Sequence, residues 1–249
     1  MPSNELILQT KNLSKDFGGL KAVNGVTLGV GSGVHSIIGP SGAGKTTLFN
    51  LLTGFLKPTK GNIFYQGAEI TNLAPYEISQ GGIARSFQIT SIFPELTAYE
   101  NIRLAVQSRL KASYNFLVSF KSLKGVDETT KKTLGQLGLL EVANLKAKNL
   151  SYGLQRGLDI GISLATDPKL ILLDEPTSGM DREDTSQIIQ LISDISGKIP
   201  VVLIEHNIDV VLSVSDVVTV LYQGKILAEG TPSKIQENEK VQDAYLGGY

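Results

Sequence analysis

Three short apolar runs in this chain each break off at a polar residue. Val34-His35-Ser36-Ile37-Ile38 runs into a glycine-rich loop, Leu170-Ile171-Leu172-Leu173 into Asp174-Glu175, and Val201-Val202-Leu203-Ile204 into Glu205-His206. Each run is strand-sized, and helical patterns such as TTLFNLLTGFL and DTSQIIQLISDIS lie between them. Strands alternating with helices predict an α/β fold built on a parallel sheet covered on both faces. Ligands of such sheets bind beyond the carboxyl ends of the strands, so the three polar ends are expected to gather at one edge.

The flanking sequence has a different texture. Residues 5–36 read as short strands with turn residues between them, and GNIFYQG (61–67) alternates in the same manner, predicting an antiparallel β layer beside the core. Residues of about 89–164 read as a helical subdomain inserted into a single domain whose core is about 1–88 and 165–249. Within it, Thr97 and Glu100 form a T-x-x-E capping box opening a helix through about Leu110. Asp127 is expected to cap a second helix, ETTKKTLGQLGLL, with Gly138 a weak point inside it. The stretch SYNFLVSFKSLKGV reads as a loop or a short helix, VVTVLY-QG-KILAEG as a hairpin, and the residues after it as a polar helical tail.

Composition closes several routes. With 41% apolar and 19% charged residues there is ample material for a buried core, and a net charge of −1 gives no general reason to expect nucleic acid as a partner. The absence of cysteine excludes disulfides and thiolate metal sites. The first residues lack a basic stretch followed by a long apolar one, so no signal peptide is expected. No run approaches the roughly 18 apolar residues of a membrane span, so a membrane role would come through a partner.

Gly39-Pro40-Ser41-Gly42-Ala43-Gly44-Lys45-Thr46-Thr47 matches G-x-x-x-x-G-K-[ST]. Glycines let the backbone curl so that successive N–H groups point inward as an anion nest. The helix that follows offers its positive end to the same phosphates. Lys45 is expected to reach the β- and γ-phosphates and the Thr46 hydroxyl to ligate Mg²⁺. A chance match has a probability of roughly one in a hundred in a chain of this length, and this one follows a strand and opens a helix. Asp174 ends an apolar strand, where a carboxylate suits a Mg²⁺-bound water, and Glu175 can polarise an attacking water. Two acids after LILL could simply open a loop; a phosphate loop in the same sheet outweighs that reading. His206 alone would be structural, but at this edge it could contact the γ-phosphate and hold the attacking water. His35, inside its strand, is assigned no role.

Leu150-Ser151-Tyr152-Gly153-Leu154-Gln155-Arg156 stands shortly before the Asp-Glu pair, and Ser151 and Gly153 open a helix whose N-terminus suits an anion. With this segment the chain resembles the ATP-binding cassette (ABC) transporter ATPases over essentially its full length, the segment being similar to their LSGGQ signature. The resemblance implies that this turn binds the γ-phosphate of a nucleotide held by the opposite subunit. It implies that Gln88, in RSFQIT, is the glutamine that touches Mg²⁺ near the transmembrane partner. Ser178-Gly179-Met180-Asp181 then lies at the dimer seam, His206 is the switch histidine, and Phe17, in KDFGGLKAV, stacks on adenine unless it is a core residue. Tyr152 and Leu154 depart from the signature's glycine and glutamine, and Gly179-Met180 from the usual Ala-Leu.

SFQITSIFPELTAYENI, IEHNIDVVLSVSD and GKILAEGTPSKI…DAYLG look most like the ATPase subunits of branched-chain amino acid importers; urea-importer and lipopolysaccharide-export ATPases share much of this. The resemblance implies ATP and Mg²⁺ as cofactors, two transmembrane permease subunits, a second ATPase subunit (identical or related), and a solute-binding receptor acting indirectly. It also implies a peripheral place on the cytoplasmic face of the membrane. Phe87, Ile92 and Phe93 are candidates for a permease-facing groove or ordinary core residues. A soluble cassette acting on DNA or ribosomes would need a long inserted coiled coil or two cassettes, whereas Gln88 and Ser151 stand 63 positions apart (151 − 88) in a one-cassette chain. A non-catalytic regulatory member has only the signature changes in its favour; Lys45, Asp174, Glu175 and His206 oppose it.

Overall fold

The structure, a computed structural model, describes residues 6–86, 92–109 and 120–246. Gln88 and Phe87, and part of the stretch 113–126, lie outside the described residues. An antiparallel sheet runs in the order β2 (Leu20–Val26), β1 (Leu8–Phe17), β5 (Lys60–Tyr65), β6 (Ala68–Glu69), with β3 (Gly29–Val30) also paired to β1. The second sheet contains β4 (Val34–Ile38), β7 (Ile83–Arg85), β8 (Leu170–Asp174), β9 (Val201–Ile204), β10 (Val217–Tyr222) and β11 (Lys225–Gly230). Its order is β11-β10-β4-β9-β8-β7, parallel from β10 to β7, with β11 antiparallel at one edge. The α/β architecture expected from the sequence is present.

Every residue of β4, β8 and β9 is buried, as a sheet covered on both faces requires. Alternation then divides the side chains between two cores. Leu170, Leu172, Val202 and Ile204 face α1 (Lys45–Leu52) and the antiparallel sheet, sharing a cluster with Phe49, Leu52, Leu13 and Ile63. Ile171, Leu173, Val201 and Leu203 face the opposite way, clustering with Ile188 and Ile192 of α6 (Arg182–Ser196) and Ile160 of α5 (Tyr152–Ala165). At about 1.5–3 kcal/mol for each fully buried aliphatic side chain, these two clusters dominate what holds the strand ends in place.

A third cluster joins α3 (Ala98–Ser108), α4 (Phe120–Gln136) and α5 through Ile102, Leu134, Leu139 and Leu158. The capping box that opens α3 is formed: Glu100 N–H donates to Thr97 Oγ1 at 3.1 Å and Thr97 N–H to Glu100 Oε2 at 2.8 Å. Asp127 does not cap a helix; it lies inside α4 and accepts from the Tyr99 hydroxyl at 2.6 Å and Lys131 at 2.9 Å. Gly138, with φ +67°, lies just past the end of α4 and stops it. The sequence does not announce α2 (Pro75–Gln80), edge strand β7 or the parallel pairing of β10 with β4. The tail holds α8 (Pro232–Gln236) and α9 (Glu239–Leu246), which bury Ile235 and Val241 against Val211 of α7 (Ile208–Val214). Among the described residues no helix is long and apolar enough to cross a membrane.

His35 is 4% exposed. Its Nε2 lies 2.7 Å from Thr219 Oγ1, which donates to Glu229 Oε2, so the imidazole donates to the hydroxyl. Burial pushes its pKa below the ordinary 6.5, with the Glu229 charge opposing. The unfolded chain thus binds a proton that the folded chain resists. This residue's contribution to stability is present above the unfolded value and lost as pH falls below it towards the folded one. Thermal melts should show Tm dropping as pH falls below 6.5, and a shallower drop in His35→Gln; identical slopes would refute the assignment.

Candidate active site

The phosphate loop leaves β4 and enters α1 at Lys45. Gly44 is the N-cap residue with φ +102°, and a β-carbon on it would strike the carbonyl oxygen of Ala22. Gly39, at φ +151°, lies equally close to the carbonyl of Leu221. Only glycine fits either place. Lys45 Nζ arcs back over the loop, donating to the carbonyls of Gly39 at 2.6 Å and Pro40 at 3.1 Å. Desolvation lowers its pKa, opposed by the charges of Glu175 and Asp174, which places both carboxylates within its field.

Beside this loop a cavity of about 330 Å³ is lined by Phe17, Leu20 and Ala22 on one side and Gly42 through Thr47 on the other. Phe17 is 47% exposed, so it is not a core residue. Lys15 Nζ lies 5.2 Å from the centroid of its ring. The arrangement suits a molecule with a flat apolar end and an anionic end.

Since β4, β9 and β8 are parallel neighbours, their carboxyl ends form one edge, as the sequence implied. Asp174, 4% exposed, ends β8. Burial pushes its carboxyl above the usual range, against the pull of Arg85, whose Nη2 donates to Oδ2 at 2.9 Å. Glu175 takes the left-handed backbone conformation at φ +47°. That costs a non-glycine residue about 1–2 kcal/mol. Its N–H donates to Ile204 O at 2.9 Å, and its carbonyl accepts from Arg156 Nη2 at 3.1 Å. A bond to a charged group contributes about 1.5–3 kcal/mol, enough to hold the strained turn. Glu175 Oε2 then lies 4.0 Å from His206 Nδ1.

Thr46 and Asp174 are hard oxygen donors. Among the described residues no three His, Cys, Asp or Glu gather into a metal cage. Mg²⁺ is commonly held in this fashion, by one or two protein oxygens plus phosphates and waters. The donors present therefore fit Mg²⁺.

Ser151 and Gly153 stand at the opening of α5 rather than on a strand of this sheet. Ser151 caps α5, accepting from Leu154 N–H at 3.3 Å. Tyr152 donates its hydroxyl hydrogen to Ser178 O at 3.0 Å, and Gly153 lies against Asp184 of α6. Phe93 is exposed and Ile92 packs on the helical cluster.

In the sequence Glu205 marks only a strand end, yet it is fully buried and organises the loops on both sides. It accepts from Thr177 N–H at 3.0 Å, the Thr177 hydroxyl at 2.6 Å and His206 N–H at 3.1 Å. Arg85 and Arg156 were also missed, because their partners lie far away in sequence. Glu205→Ala should cost about 1–3 kcal/mol by stranding the Thr177 donors. An unchanged urea midpoint would contradict this role.

Residues 23–178 match the ABC transporter family, and residues 225–249 match the branched-chain amino acid ATP-binding cassette transporter family. The chain is 41% identical over 251 residues to the high-affinity branched-chain amino acid transport ATP-binding protein BraF of Pseudomonas aeruginosa, covering 97% of this chain and 98% of the relative. It is similar to the crystal structure of the ADP conformation of MJ1267, an ATP-binding cassette of an ABC transporter, with a TM-score of 0.86 and 34% identity over 97% of this chain and 99% of that one. It also resembles the dimeric post-hydrolysis state of the ATP-binding cassette MJ0796 bound to ADP and Pi, with a TM-score of 0.75 and 28% identity over 90% of this chain and 98% of that one.

Proposed function

The chain belongs to the ABC transporter family of ATP-binding cassettes, and we propose that it hydrolyses ATP to drive uptake of branched-chain amino acids through membrane permease subunits. The observation that carries the catalytic part is the meeting, at one sheet edge, of the Lys45 loop with the Glu175–His206 pair, 4.0 Å apart. The solute is supported by the likeness to BraF and by the family match of the C-terminal 225–249 segment.

In this reading the loop Gly39 through Thr47 receives the triphosphate on its backbone N–H groups from Gly42 to Thr47, Lys45 holds its β- and γ-oxygens, and Phe17 stacks on adenine. Thr46, Asp174 and, by the family resemblance, Gln88 would hold Mg²⁺, which when bound would neutralise charge on the transferring phosphoryl group. Glu175 orients the attacking water and takes its proton, and His206 holds the γ-phosphate. Such catalysis is chiefly positioning and electrostatics. Ser151 and Gly153 close over the nucleotide of a second ATPase subunit. The likeness to a dimeric cassette supports that pairing. The core, about 1–88 and 165–249, carries the nucleotide. The insertion of about 89–164 passes closure to two permease subunits, with Phe93 at the contact, while a solute receptor delivers cargo without touching this chain. The working position is peripheral, on the cytoplasmic face of the membrane.

Uptake of labelled leucine by the complex reconstituted with its permeases and receptor tests the whole reading. Glu175→Gln should keep nucleotide binding and lose hydrolysis and uptake by on the order of 10²-fold or more. Unchanged turnover would remove Glu175 from its role, and an unmodified complex that hydrolyses ATP without moving leucine would overturn the solute.

A further inference from the structure

Arg85 closes edge strand β7, three positions before Gln88 (88 − 85). Its side chain is 8% exposed and that of its ion-pair partner Asp174 5%. While Nη2 binds Asp174, Nη1 donates to Asn50 Oδ1 at 2.7 Å and Thr53 Oγ1 at 3.1 Å. Asn50 lies in the last turn of α1 and Thr53 is its C-cap residue. The guanidinium carbon also lies 5.6 Å from the centroid of the Phe49 ring and 5.9 Å from that of Phe55. One planar group thus ties the far end of the phosphate-loop helix to the carboxylate at the end of β8.

Stability alone does not account for a guanidinium here. A buried ion pair is weak evidence of stabilisation, because apolar residues of similar volume often do as well or better. α1 already buries Phe49, Leu51 and Leu52 as apolar contacts. What a fixed fork of donors adds is orientation. It engages Asp174 Oδ2 from a group anchored on α1, which restricts how the carboxylate can turn.

We propose that Arg85 is a positioning residue of the nucleotide site: it aims the Asp174 carboxylate at the hydrated Mg²⁺ and ties that aim to α1 through Asn50 and Thr53. The inference rests on the nucleotide reading above. Groups that orient metal-binding side chains typically contribute 10–100-fold in metal affinity or activity.

The test is calorimetric titration of ADP into the full chain, at a series of Mg²⁺ concentrations and in EDTA. Arg85→Met should leave affinity in EDTA unchanged and raise the Mg²⁺ needed for half-maximal enhancement by about 10–100-fold. Arg85→Lys, which keeps the charge without the fork, should fall between and carries the test if the Met variant does not fold. In the reconstituted complex, excess Mg²⁺ should restore much of the lost turnover. Lys45→Ala, the reference, should lose affinity in both conditions. A folded Arg85 variant with the wild-type Mg²⁺ requirement, or one weakened equally in EDTA, would overturn the proposal. A wild-type chain that binds no ADP in either condition would overturn the nucleotide reading itself, and this inference with it.

Discussion

The phosphate loop keeps its shape because main chain packs directly on main chain. Gly44 lies against the carbonyl of Ala22 in β2, and Gly39 against that of Leu221 in β10. The turn between β10 and β11 adds two bonds: Gly224 N–H donates to Ala43 O at 3.0 Å, and Gly224 O accepts from Asn24 N–H at 2.8 Å. The loop is therefore clasped by the antiparallel layer, the central sheet and the C-terminal hairpin at once. None of these parts would shape it alone, and a β-carbon at either glycine would force two of them apart.

Around that clasp the charges are arranged in opposition. Lys45 and Arg85 meet Asp174 and Glu175 at the edge of a buried sheet, where each partial desolvation is countered by a neighbour of opposite sign. Burial by itself lowers the pKa of Lys45 and raises that of Asp174, disfavouring the charged form of each. The strained backbone at Glu175 is held from two sides, by Ile204 of β9 and by Arg156 of α5. Arg156 gives the signature helix a direct physical hold on the residue proposed to activate water. Tyr152 adds a second link, from the same helix to Ser178. The departure from glycine at position 152 thus creates a contact within the chain that glycine could not make.

What was legible in the sequence was local. The glycine-lysine loop, the apolar runs with polar ends and the Thr97–Glu100 box each declare themselves within a few residues, and chain order alone brought the strand ends together. What was not legible depends on distant partners. Arg85 meets Asp174 across 89 positions and Glu205 meets Thr177 across 28, so neither shows in periodicity or propensity. Asp127 has the chemistry of a cap, but the Tyr99 hydroxyl and Lys131 engage it within a longer helix. Local preference yielded there to tertiary contact. Strand β7 is too short for its alternation to register.

The central claim is that main-chain amides of the loop receive a triphosphate, and hydrogen–deuterium exchange reads those amides directly. With MgATP added to the full chain, the amides from Gly42 to Thr47 should exchange more slowly, while those of α8 keep their rates. Loop amides exchanging at the same rate with and without saturating MgATP would contradict the account.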